Sequence, residues 1–230
     1  MALAKSGQVH AKKRQGTRVV VIGLGRFGSA LAYELCRHGS EVLGIDSNPT
    51  LVQEHSNALT HAAVADTTDR QSLEQLGVPD FPHAVVGIGH NIESSILTTS
   101  VLSDFDIPQI WAKAVTRQHG RILERVGAHH VILPEYDMGE RVAHLVAGRM
   151  LDYIEFDEDY AMVKTVAPSA AVGKTLTESG LRQVFGVTVV AIKSPGEDFR
   201  YATPASVVQR DDLLIVAGSV EQVETFADMT

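Results

Sequence analysis

Four residues of this 230-residue chain have the types and spacing to hold a phosphorylated ligand. Gly23, Gly25 and Gly28 form G-x-G-x-x-G inside "RVVVIGLGRFGSALAYELCRHGSEVLGID", residues 18–46, and Asp46 closes that stretch. The first glycine permits a tight turn, the second lets backbone approach a pyrophosphate, and the third allows a helix to pack closely on a sheet. A helix starting at such a turn aims free N–H groups and the positive end of its dipole at phosphate. An acid about 20 residues further on is where a ribose-binding carboxylate belongs. Asp46 narrows the ligand, since a carboxylate accepts from both ribose hydroxyls and repels a 2′-phosphate. NADP is disfavoured, and NAD, ATP, ADP and AMP remain. Arg26 lies within the turn, where it either reaches a terminal phosphate by charge-assisted bonds or faces solvent from the helix.

The parts of a reaction are harder to find. Hydride transfer requires an acid–base residue and a substrate anchor beside the nicotinamide. Ten histidines are available, but none stands in a dehydrogenase motif. His129 and His130 are adjacent on a strand entry and point to opposite faces, which does not suit a metal pair. "VGKTL", residues 172–176, imitates the end of a P-loop, but Pro168 stands where the loop needs glycine. Cys36, on the apolar side of the first helix, reads as a buried structural thiol. No sequence feature argues for catalysis.

These residues must be positioned by the elements around them. Short apolar runs at Arg18–Ile22, Glu41–Asp46, Ala62–Ala65, His83–Gly87, Gln109–Lys113 and His130–Leu133 read as strands. Between and after them, Arg26–Arg37, Pro49–Asn57, Asp69–Leu76, Asn91–Ser103, Gln118–Val126 and Asp137–Gly148 carry helical patterns. The alternation predicts an α/β fold: a Rossmann-like, doubly wound parallel sheet with its ligand crevice at the strands' carboxyl ends. The acidic run Asp157–Asp159 marks a connector. Beyond it, strands at Ala161–Val166, Val187–Lys193 and Leu213–Ala217, a turn at Ser194–Glu197 and helices at Thr175–Leu181 and Val220–Ala227 predict a small α+β domain. Such a domain of about 70 residues is marginal alone and expected to need a partner surface.

Composition bounds the partners. A formal net charge of −8 argues against nucleic acid, which draws a basic footprint. The only basic cluster, Lys12-Lys13-Arg14, lies in a polar leader expected to be disordered. A single cysteine fits a reducing compartment. The chain has neither the roughly 18 to 20 continuous apolar residues of a membrane span nor the apolar run of a signal peptide. The expected location is the cytoplasm, with any membrane role reached through a partner.

With these residues laid out, the chain resembles the KtrA/TrkA family of RCK proteins, cytoplasmic regulators of bacterial Trk/Ktr-type potassium uptake, and is closest to the Ktr branch. The resemblance rests on "VIGLGRFGSALAYEL", "EVLGID", "VADTTD", "VVGIGHNIESSILTT", "IPQIWAKA" and "ERVGAHHVILPEYDMGERVA". "VGKTLTESGLRQVFGVTVVAIK" and "YATPASVVQRDDLLIVAG" extend it through a C-terminal RCK domain. Apart from the leader expected over 1–16, which has no counterpart in the family, the resemblance implies an RCK N-terminal domain over 17–150, a connector over 151–159 and an RCK C-terminal domain over 160–230. It also implies an octameric ring built from dimers, docked on a potassium-conducting membrane protein and switched by ATP against ADP. The implied nucleotide-binding set is Gly23, Gly25, Arg26, Phe27, Gly28, Asp46, Asn48, Asp66, Thr67, Lys113 and Glu135. In it Asp46 holds ribose, Asp66 and Thr67 lie beside adenine, and Arg26 meets the outer phosphates. Glu135, across the dimer, holds a divalent cation or sodium near the γ-phosphate. Some members bind cyclic di-AMP in the C-terminal domain, where Leu176, Arg182, Thr188 and Pro204 match, while Thr177 replaces an aliphatic residue. The leading expectation is a nucleotide-gated regulatory subunit and not an enzyme. The alternatives are an NAD-dependent oxidoreductase and an NAD(H)-sensing regulator of the Trk type.

Overall fold

A computed structural model describes residues 16–147, 150–157 and 159–229. The leader expected over 1–16 lies outside the described residues except for Gly16, as does Glu158 of the acidic run. Two compact units divide between Pro134 and Glu135.

The first unit alternates strand and helix throughout. Its strands are β1 (Arg18–Ile22), β2 (Glu41–Asp46), β3 (His61–Val64), β4 (His83–Val86), β5 (Gln109–Lys113) and β6 (His130–Ile132). The helices between them are α1 (Arg26–Arg37), α2 (Pro49–His55), α3 (Arg70–Gln75), α4 (Ile92–Asp104) and α5 (Arg117–Arg125). All strand pairs are parallel, in the order β3-β2-β1-β4-β5-β6. The run Val19-Val20-Val21-Ile22 is buried because both sheet faces are covered. Val20 and Ile22 join a core with Ile45, Val86, Leu102 and Leu123, while Val19 and Val21 pack with Leu24, Ala32 and Val52 on the other side. Side chains cap the starts of α2, α3, α4 and α5: Asn48, Asp69, Asn91 and Thr116 each accept a first-turn backbone N–H. At α1 the capping residue is Gly25, which supplies no side-chain acceptor.

His119 of α5 is buried at 2% exposure. Its Nδ1 accepts from the Val115 backbone N–H at 3.3 Å, and its Nε2 has no partner among the described residues. Burial pushes this imidazole below its ordinary value. The folded state therefore holds it neutral, while the unfolded chain takes up a proton below about pH 6.5. Stability is full above that value and falls as the solution is acidified, with a slope of up to about 1.4 kcal/mol per pH unit from this group. Denaturant melts of the wild type and His119→Leu across acidic pH check this. The wild-type curve is expected to fall more steeply, and parallel curves would show that His119 contributes nothing to the acid limb.

In the second unit, α6 (Pro134–Ala147) precedes an antiparallel sheet. Its strands are β7 (Met150–Asp157), β8 (Tyr160–Val166), β9 (Thr188–Lys193), β10 (Arg200–Tyr201) and β11 (Leu213–Gly218), in the order β10-β9-β11-β8-β7. The helices α7 (Leu176–Ser179), α8 (Leu181–Phe185) and α9 (Val220–Asp228) complete it. Val163, Leu181, Ile192, Leu214, Val216 and Phe226 form its core.

Two sequence expectations are corrected here, and one element was not expected. Residues 151–157, read as part of a connector, belong to β7, which pairs antiparallel with β8. The acids there are tolerated because they find partners: Arg141 pairs with Asp152, and the buried Tyr153 hydroxyl donates to Glu155 Oε2 at 3.1 Å. Burial and that carboxylate push the Tyr153 phenol up to about 12, and His144 of α6 stacks on its ring. The single helix expected over Thr175–Leu181 is two, because Gly180 at φ +64° ends α7 and starts α8. The two-residue strand β10 had no periodic signal to announce it.

β7 is an outer strand. Its pairing with β8 shifts register between Met150 and Asp152 and again between Glu155 and Asp157, and Leu151, Ile154 and Phe156 are exposed along it.

Candidate functional site

The sheet order reverses between β1 and β4, and the loops after β1, β2, β3 and β4 meet at that switch point. They enclose a cleft of about 100 Å³ lined by Ile22, Gly23, Ile45, Asp46, Ser47, Asp66, Thr67, Thr68, Ile88, His90, Asn91 and Ser94. Each glycine of the motif has its own geometric reason. Gly23 sits at φ +91°, and its N–H donates to the Ile45 carbonyl at 2.7 Å, tying the loop to β2. A Cβ on Gly28 would lie 1.8 Å from the Gly23 carbonyl oxygen, so only glycine lets α1 approach β1 this closely. A Cβ on Gly25 would meet nothing within 4 Å. Its bareness serves no packing need among the described residues and leaves the helix N-terminus open to an approaching group.

Asp46 is 8% exposed at the end of β2. Its Oδ2 accepts from the Leu24 backbone N–H at 2.7 Å and its Oδ1 from the Asn48 N–H at 2.8 Å. Each carboxylate oxygen has capacity for a second bond. The same carboxylate that fixes the glycine loop can therefore accept from a ribose.

Of the residues expected from sequence, Gly23, Asp46, Asp66 and Thr67 line the cleft together. Asp66 Oδ1 is held by the Thr68 N–H at 2.9 Å and hydroxyl at 2.7 Å, and Thr67 shares a hydrogen bond with Thr98 of α4 at 2.8 Å. Gly25, Arg26, Phe27 and Gly28 lie beside it in the loop and first turn of α1, with Arg26 exposed. Lys113, buried at the end of β5, places its Nζ 5.6 Å from the centre of the Phe27 ring. Asn48 does not line the cleft, and its side chain is spent capping α2. Glu135 stands exposed in the first turn of α6, in the second unit. Among the described residues no group of three or more His, Cys, Asp or Glu is placed to hold a metal ion.

The sequence reading missed the wall built by Ile88, His90, Asn91 and Ser94. Its only signal was a second glycine-bearing turn, "GIGHN", between a strand and a helix. In the second unit, Leu176, Arg182, Thr188 and Pro204 line one pocket of about 300 Å³ together with Thr177 and Leu181. The Thr177 hydroxyl donates to the Pro204 carbonyl at 3.0 Å, so it fastens the pocket's own rim.

The glycine turn, the acid and the small antiparallel unit occur together in known proteins. The TrkA-N domain signature matches residues 19–134, and the TrkA-C domain signature matches residues 160–230. The chain belongs to the KtrA/TrkA family. Within it, the chain is 39% identical to the Ktr system potassium uptake protein C of Bacillus subtilis, over 90% of this chain and 94% of that one. The Ktr system potassium uptake protein A of Vibrio alginolyticus is 35% identical, over 88% and 93%. Among solved structures, the GsuK RCK domain superposes with a TM-score of 0.64 at 18% identity, covering 94% of this chain and 47% of that one. The GsuK channel bound to NAD gives 0.62 at 17% identity, covering 90% and 38%. These likenesses carry the fold of this KtrA/TrkA-family chain, an RCK-type Rossmann unit followed by a small antiparallel one. No described helix is long and apolar enough to cross a membrane.

Proposed function

We propose that this chain is a nucleotide-sensing regulatory subunit that binds ATP or ADP in the β1–β4 cleft and gates a potassium-conducting membrane partner without catalysing a reaction. The partner class follows from relatives named as potassium uptake proteins, matched over about nine-tenths of both chains. The observation that carries the ligand class is the Asp46 carboxylate, held at the cleft by two backbone N–H groups while keeping acceptor capacity. A ribose with both hydroxyls free satisfies it, and a 2′-phosphate is repelled by it.

The switch requires only that one ligand bind two arrangements of the subunits unequally. In this reading the arrangement is an octameric ring of dimers in the cytoplasm, peripheral to the membrane. The γ-phosphate meets Arg26 and, from a neighbouring subunit, Glu135 with a divalent cation or sodium. Coupling of about 1 to 3 kcal/mol per site, repeated around a ring, is enough to shift a channel without any bond being broken.

Calorimetric titration with ATP, ADP, AMP, NAD, NADH and NADP tests this reading. ATP and ADP are expected to bind tightest and NADP weakest. NAD or NADH ahead of ADP would make the chain a redox-state sensor instead, and sustained turnover of nicotinamide would make it an oxidoreductase. In the same titrations, Arg26→Ala is expected to weaken ATP by on the order of 1.5 to 3 kcal/mol and AMP by much less, since only the longer chain reaches the guanidinium. Equal losses would place Arg26 outside the phosphate site.

A second ligand belongs to this proposal because Leu176, Arg182, Thr188 and Pro204 share one pocket. Cyclic di-AMP is the ligand it suits: Arg182 supplies charge for a phosphate, and Leu176 and Pro204 supply apolar surface for a base. Its binding is expected to survive Asp46→Ala.

A further inference from the structure

We propose that His90 makes nucleotide binding at the β1–β4 cleft proton-linked, its imidazole taking up a proton when the anionic ligand enters. This rests on the nucleotide reading of that cleft. Among the described residues His90 is the one histidine on the cleft wall, which also contains Gly23 and Asp46. It is exposed, and its imidazole has no hydrogen-bond or ion-pair partner among the described residues. The backbone around it is held. Asn91 Oδ1 accepts from the Ser94 N–H at 3.0 Å, and a Cβ on Gly89 would lie 3.4 Å from Lys113 Nζ. The loop thus presents a side chain the protein itself does not use.

The charges around this loop come from every neighbouring element. Asp46 at the end of β2 and Asp66 after β3 are the carboxylates that line the same cleft. Lys113 of β5 lies beside Gly89. Glu93 lies in the first turn of α4 and Arg26 in the first turn of α1. A bound diphosphate adds negative charge to this field and tips the balance toward the imidazolium, which donates from both ring nitrogens. By linkage, a ligand that favours the protonated form binds more tightly as the solution is acidified. Histidine is the ordinary side chain whose charge changes near neutral pH, which sets the range in which to look for the linkage. The cleft then reports cytoplasmic acidity together with nucleotide.

The test is calorimetric titration of the full chain with ADP between about pH 6 and pH 8, in buffers of different ionisation enthalpy, with adenosine as the uncharged control. Wild type is expected to take up a fraction of a proton on binding ADP. Its ADP affinity is expected to rise about fivefold toward the acid end relative to His90→Gln. His90→Lys, a fixed charge, is expected to hold the higher affinity across the whole range. Adenosine is expected to show none of this. ADP binding with the same pH profile in wild type and His90→Gln would overturn the inference and leave the nucleotide reading standing. Failure of wild type to bind any adenine nucleotide would overturn both.

Discussion

Replacing Asp46 with alanine is expected to weaken ADP on the order of a hundredfold, and asparagine, its closest match in shape, is expected to do little better. A bond to a charged group contributes about 1.5 to 3 kcal/mol, and a hundredfold is about 2.8 kcal/mol. Asparagine fails because two donors converge on this side chain: the Leu24 N–H at 2.7 Å on one oxygen and the Asn48 N–H at 2.8 Å on the other. An amide has one acceptor oxygen, so either orientation sets an NH₂ group against a backbone N–H. The loop that should receive phosphate loosens along with the ribose contact. Titration calorimetry measures the affinity, and hydrogen exchange at Leu24 measures the loop. Unchanged ADP affinity in both variants would remove Asp46 from the site.

A pair of glycine substitutions separates fold from function at the same loop. Gly28→Ala puts a methyl group 1.8 Å from the Gly23 carbonyl oxygen and 3.0 Å from its carbon. Both are backbone atoms, so α1 must lift off β1, at an expected cost of about 3 kcal/mol in stability. Gly25→Ala meets nothing within 4 Å and keeps an ordinary backbone at φ −66°. Its stability is expected to stay within about 0.5 kcal/mol of wild type while nucleotide affinity falls at least about tenfold, because the methyl group stands where phosphate approaches. Thermal melts beside calorimetry distinguish the two. A stable Gly25→Ala with full affinity would mean that no ligand comes near the start of α1.

How much of this was legible in the sequence differs from place to place. β1, α1 and β2 were readable to the residue because the valine run, the glycine spacing and the closing acid are local signals. The bond from Leu24 to Asp46 was not readable. It spans 22 residues and exists only because Ile22 pairs with Ile45 in the sheet. Asn48 was assigned to the ligand from the resemblance, but its side chain answers a nearer demand, the uncapped N–H of Thr50. The wall at His90 and Asn91 escaped because a loop has no period, and only the switch in strand order brings it opposite Asp46. β7 was obscured for a different reason: the acidic run Asp157–Asp159 at its end read as a connector, and the partners of its inner acids, Arg141 for Asp152 and Tyr153 for Glu155, emerge only once α6 and the sheet are built.

The outer strand β7 bears on how safely this chain can be concentrated. An exposed strand with apolar residues is a template for open-ended stacking of one molecule on the next. The two register shifts along β7 are irregularities of the kind that bend a strand and increase its twist. A strand bent in this way is expected to offer an intruding strand a shorter regular stretch of unpaired backbone than a straight one. Leu151, Ile154 and Phe156 are exposed along this edge, where regular pairing with a second strand would otherwise be easiest. Straightening the irregularities at positions 150–152 and 155–157 is therefore expected to raise self-association more than it lowers stability.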